Sequence, residues 1–150
     1  MKFSRTKSQW VKLCLGWAAA LSWMVVIFSL SAQTAGDSSA LSGGLLQKLL
    51  QIFPIPISEF LLRKLAHFSE FALLGILFYL ALFATALVPK PWLALLLTAL
   101  YAVSDEVHQL FVPGRACQFR DMCIDTSGAL LGIVICMAIY ALYRHRTMKK

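Results

Sequence analysis

Long uncharged apolar runs alternate with short polar stretches along this chain, and the length of each run decides what it can form. The first extends from Leu13 to Leu30 without a charge, close to the roughly 20 helical residues that a bilayer core requires. A basic segment precedes it, as in a signal peptide. The run outlasts a usual signal sequence, however, and Ser-Leu-Ser-Ala-Gln-Thr-Ala after it is a mediocre cleavage site, so a retained helix over about residues 11–31 is favoured. Residues 33–44 have the composition of a polar loop. Leu45, Leu46, Leu49, Leu50 and Phe53, with Gln47, Lys48 and Gln51 between them, then form one apolar face at helical period. This predicts an amphipathic helix over about 44–53, too short to span, lying in the membrane interface and ended by Pro54 and Pro56.

A second span covers about 59–88, charge-free from Phe71 onward, and Pro89-Lys90-Pro91 makes a tight turn. The next apolar run, Trp92 to Ser104, is thirteen residues long and covers only about 20 Å of a core about 30 Å thick. The third helix must therefore continue through Asp105-Glu106-Val107-His108-Gln109 to about Val112, which places those polar residues at membrane depth. Pro113-Gly114 breaks it, and a fourth span covers about 124–143. The expected fold is all-α, a single membrane domain over 1–150 with four transmembrane helices and one interfacial helix.

Composition agrees. Hydrophobic residues make up 59% of the chain and charged residues 14%, against about 45–50% and 25% in soluble domains. The net charge of +7 would fit nucleic acid only as a basic surface. Instead Lys2, Arg5, Lys7 and Lys12 occupy one tail and Arg144, Arg146, Lys149 and Lys150 the other. That is the positive-inside pattern, and it excludes a nucleic-acid partner. Four spans put both tails, with Lys90, on the cytoplasmic side. Cys14 and Cys136 fall inside apolar runs. Cys117 and Cys123 share a loop and could bridge only if it bends, since six helical residues separate Cα atoms by about 9 Å.

At about 100° per residue, Arg63, His67 and Glu70 share one face of the second helix. Tyr101, Asp105, His108 and Gln109 share one face of the third, with Glu106 a quarter turn away. Asp121, Asp125, Gly128 and Gly132 form one stripe on the fourth. All three polar faces come to the same level, in the outer leaflet. Ionisable groups at that depth cost several kcal/mol unless paired or wet, so they are functional candidates; the alternative is mutual pairing that merely holds the helices together. His67 with Glu70 one turn on suits a general base and its orienting carboxylate. Arg63 and Arg115 suit phosphate, and Lys64 and Arg120 suit snorkelling anchors. Asp105, Glu106, Asp121 and Asp125 offer hard ligands for a divalent cation, the one cofactor considered, although no strict metal spacing is present. Gly128-xxx-Gly132 permits close helix packing.

The run from Arg63 to Phe71 with His67 and Glu70, Ser104-Asp105-Glu106-Val107-His108-Gln109 through Pro113-Gly114-Arg115, then Asp121 and Asp125-Thr126-Ser127-Gly128-Ala129, resembles the VanZ-like family over about residues 25–140. Phe71 stands where that family often has Tyr. The resemblance implies a bacterial cytoplasmic (inner) membrane protein, related to a founding member associated with teicoplanin resistance. VanZ-like proteins are also similar to four-helix membrane enzymes that exchange or hydrolyse lipid head groups, phosphatidylserine synthases among them. On that likeness His67, Glu70, Asp105, Glu106, His108 and Gln109 would be catalytic, and Arg63, Arg115, Asp121 and Asp125 would bind a membrane lipid or lipid-linked substrate. Two other readings stand beside this enzyme: a non-catalytic lipid or lipoglycopeptide binder, and a structural or transport protein. The last fits poorly, since the inner half of helices two to four offers little beyond hydroxyls such as Tyr79, Thr85 and Thr98.

Overall fold

A computed structural model describes residues 5–52 and 58–149. Lys2, Phe53, Pro54, Pro56, Lys150 and the side chain of Leu49 lie outside the described residues. Five helices follow one another: α1 (Lys7–Ser31), α2 (Ala35–Ile52), α3 (Glu59–Ala86), α4 (Pro91–Gln109) and α5 (Phe119–Thr147). No strand occurs among the described residues. Three of the helices, α1, α3 and α5, are long and apolar enough to cross a membrane. With no water to receive them in a bilayer, backbone amides and carbonyls must bond within each segment, which a helix does by itself.

Local chemistry sets most of the ends. Thr6 and Gln9 form a capping box at the start of α1, with Gln9 N donating to Thr6 Oγ1 at 3.3 Å and Thr6 N to Gln9 Oε1 at 2.9 Å. Ser58 accepts from Leu61 N at 3.2 Å to cap α3. Leu87 closes α3 in the left-handed region at φ 59°, and Pro91 opens α4 at its first turn, where a missing amide hydrogen costs nothing.

The polar loop expected over residues 33–44 is not a loop. From Ala35 onward it is the first part of α2, started by Thr34, whose Oγ1 accepts from Asp37 N at 3.2 Å and donates to Asp37 Oδ2 at 2.7 Å. α4 ends at Gln109 rather than near Val112, because Leu110, Phe111 and Val112 turn tightly onto the carbonyls of Val107, His108 and Gln109. α5 begins at Phe119, earlier than its apolar run.

The core is a contact between small residues. A Cβ on Gly75 would lie 2.8 Å from Ala129 O, and Cβ atoms on Gly128 and Gly132 would strike Phe68 O and Ala72 O. α3 and α5 therefore touch backbone to backbone. α1 approaches α3 at Gly16, 3.1 Å from Ala81 Cα by the same measure. Phe71, Leu74, Phe78 and Ile133 fill the space beside these contacts, with Ile27 and Ala20 of α1 and Ala102 of α4. Trp17 Nε1 donates to Thr85 Oγ1 and Trp23 Nε1 to Glu70 O, both at 2.9 Å. Tyr101 reaches Met24 O at 2.6 Å.

Gly128→Leu is expected to lower thermal stability in mild detergent by about 1–3 kcal/mol, the usual cost of overpacking. Gly43→Ala, whose Cβ would meet nothing within 4 Å, should leave it unchanged or raise it; equal melting of all three proteins would refute the contact.

Candidate functional site

Two cavities open where the N-terminal turns of α3 and α5 meet the C-terminal end of α4. The larger, about 220 Å³, is lined by Arg63, Lys64 and His67 of α3, Gln109 of α4, Arg115 of the α4–α5 loop and Asp121 of α5. The smaller, about 90 Å³, shares Arg63, His67 and Arg115, and adds Glu70 together with Ser38 and Ser42 of α2. His67 and the two guanidiniums thus form a partition with a space on either side.

The loop reaches this position because it is tied at several points. Gly114 has φ +75°, a backbone that glycine adopts without strain, and its missing Cβ leaves room for Ala35. Ala35 N donates to Pro113 O at 3.3 Å, and Arg115 Nε donates to Gln33 O at 2.9 Å. Gln118 N donates to Glu106 Oε2 at 2.8 Å, so a carboxylate from α4 stands at the N-terminus of α5, where the helix dipole favours it. Burial pushes the Arg115 guanidinium below its ordinary value, and Asp105 opposes that; arginine stays charged nonetheless.

Behind the cavities lies a buried acidic layer. Asp105 is 3% exposed, Glu106 1% and Asp125 0%. Asp105 Oδ2 accepts from Ser31 Oγ at 2.8 Å and from Gln109 Nε2 at 3.2 Å, so Gln109 stands between it and the larger cavity. Neither oxygen of Asp125 has a hydrogen-bond partner among the described residues, nor does Oε2 of Glu70 or Oδ1 of Asp105. Of the seven acidic residues in the chain, only Asp121 forms an ion pair among the described residues, with Lys64 and, at 3.9 Å, with Arg120. Arg63 gives one hydrogen bond to Ser39 Oγ at 3.2 Å and Arg115 the one to Gln33 O; no carboxylate pairs with either among the described residues.

Six of the ten expected residues therefore line the two spaces: Arg63, His67, Glu70, Gln109, Arg115 and Asp121. Asp105, Glu106 and Asp125 lie buried and line neither cavity. His108 lines neither cavity; its ring centroid is 4.4 Å from that of Phe28, and Nε2 has no hydrogen-bond partner among the described residues. Glu106, a quarter turn from the face of Asp105, meets the start of α5 there: the amide of Gln118, the residue before that helix, donates to its carboxylate. No hydrogen bond joins His67 to Glu70 among the described residues. Cys117 and Cys123 are both free. The pattern of the chain gave no hint of Ser31, Ser38, Ser39 or Ser42; the Thr34-to-Asp37 spacing that starts α2 was the available signal.

The family model described as VanZ/LLP1 matches residues 16–141. The chain belongs to the VanZ/LLP1 family. The matched span takes in every residue that lines the two cavities of this VanZ/LLP1 protein, as well as the acidic layer behind them. No curated protein and no solved structure matches the chain. Among the described residues, no group of three or more His, Cys, Asp or Glu side chains is arranged to hold a metal ion. Asp105, Glu106, Asp121 and Asp125 do not form a common ligand set in this VanZ/LLP1 chain.

Removing a partner from a buried acceptor costs about 1–3 kcal/mol. Ser31→Ala is therefore expected to lower the melting temperature of the detergent-purified protein. A variant as stable as the parent would show that Asp105 does not depend on that hydroxyl.

Proposed function

We propose that this protein acts on the head group of a phospholipid or lipid-linked envelope intermediate, with Arg63 and Arg115 holding phosphate and His67 moving the proton. One observation carries the reading: two guanidiniums line both cavities without a carboxylate partner among the described residues, although a buried acidic layer lies behind them. A cluster built only to hold helices together would pair these charges, since an unpaired ion at membrane depth costs several kcal/mol. A phosphate oxyanion supplies what is missing, and guanidinium binds it in bidentate fashion. His67 borders both spaces, so a hydroxyl or water in either could give it a proton.

In this reading α4 is the third of four spans, packed beside α3 and α5 despite its polar C-terminal end, and α2 rests in the membrane interface. The basic tails and Lys90 then face the cytoplasm. The cavities open in the outer leaflet of a bacterial cytoplasmic membrane. In a cysteine-free background, a membrane-impermeant maleimide added to intact cells should label Ala116→Cys and spare Val88→Cys. The reverse pattern would invert the proposed topology.

The lack of a hydrogen bond orienting His67 favours a second reading, a binder without catalysis. Such a protein would hold a lipid or lipoglycopeptide and contribute to teicoplanin-type resistance by altering access to the cell wall. Turnover of radiolabelled lipids by purified protein separates the two. An enzyme loses about 10²–10⁴-fold in rate on His67→Ala, the usual contribution of a general base. Equal rates in the parent and His67→Ala would remove His67 as the base.

A further inference from the structure

Glu70 has no assigned partner. It stands one helical turn beyond His67, yet the two side chains are not hydrogen-bonded, and its Oε2 is buried without a partner among the described residues. That side chain lines the smaller cavity, not the larger one. The smaller cavity therefore has two kinds of lining. Arg63, His67 and Arg115 line it in common with its neighbour; Glu70, with the hydroxyl-bearing Ser38 and Ser42 of α2, lines the smaller cavity but not the larger. These opposed charges are not joined to each other. A carboxylate oxygen cut off from water needs a donor, and one carrying positive charge satisfies it best.

Building on the phosphate reading above, we infer that the smaller cavity receives an ammonium group, so that the preferred ligand is an aminoalkyl phosphate head group. The phosphate lies against Arg63 and Arg115 and the ammonium passes the partition to Glu70. Ser38 and Ser42 take the remaining ammonium hydrogens through their hydroxyl oxygens. Each charge then has a partner, the two guanidiniums at the phosphate and Glu70 at the ammonium, and none is left alone in a poorly solvated space. A glycerol head group of similar length brings hydroxyls instead, which make weaker bonds to a carboxylate than an ammonium does.

The test is lipid binding by the full-length protein in detergent, read by native mass spectrometry. Phosphatidylethanolamine and phosphatidylglycerol with identical acyl chains are compared, as are the tailless phosphoethanolamine and glycerol phosphate. The parent protein is expected to prefer the amine-bearing member of either pair by about tenfold, the ratio that 1.4 kcal/mol produces; preference within the tailless pair as well identifies a soluble source. Glu70→Gln should bring the two members of a pair to equal affinity. If the parent binds both alike, or Glu70→Gln keeps the full preference, the ammonium assignment is overturned. The phosphate reading has its own control, because Arg63→Gln and Arg115→Gln should weaken all of these ligands together. Should they weaken none, the phosphate reading falls, and the ammonium assignment with it.

Discussion

Where Gly128 and Gly132 lie against the carbonyls of Phe68 and Ala72, α3 and α5 meet backbone to backbone. Any side chain at those positions would hold them apart. This contact sets the level of everything above it. It brings the first turns of α5 beside Lys64, allowing Asp121 to form its ion pair. It also fixes the start of α5 next to α4, where Glu106 meets the Gln118 amide. In a membrane there is little hydrophobic gain from pressing apolar helices together, so close van der Waals contact must do much of that work. The small residues of the α3–α5 seam supply it.

Upon that seam sits a separation of charge. The cations Arg63 and Arg115 face the cavities, while Asp105, Glu106 and Asp125 lie deeper, nearly or wholly out of reach of solvent. Lys64 and Asp121 pair on the cavity side, and no cation forms an ion pair with the three deeper carboxylates among the described residues. A separation of this kind is costly in a low-dielectric setting, and functional sites are where such costs are tolerated. Family membership, shown by the match over residues 16–141, covers the entire arrangement.

Much of this was legible before any coordinates. Uninterrupted apolar runs mark α1, α3 and α5, and the 100° rule places Arg63, His67 and Glu70 on one face, where all three line the smaller cavity. The Gly128 and Gly132 pair marks the seam. The failures have physical reasons. Residues 35–44 are rich in Ser and Gly, poor helix formers, and composition outweighed the Thr34 and Asp37 cap that starts α2. Hence the serines of the smaller cavity went unseen. A helical wheel gives the direction of Glu106 without its neighbour, and the Gln118 amide that meets it comes from the start of another helix. That His67 and Glu70 are not bonded lies beyond spacing altogether, since residues one turn apart can point into different spaces.

Residues 110–118 are a strut, not a tether. Most connecting loops drift in sequence and accept insertions, since little depends on where their middle lies. This one is held at Pro113 by Ala35, at Arg115 by Gln33 and at Gln118 by Glu106, and between those points it carries a guanidinium that walls both cavities. One extra residue would leave the helices intact and move Arg115 out of register. The nine-residue segment joining α4 to α5 thus has little freedom to vary in length.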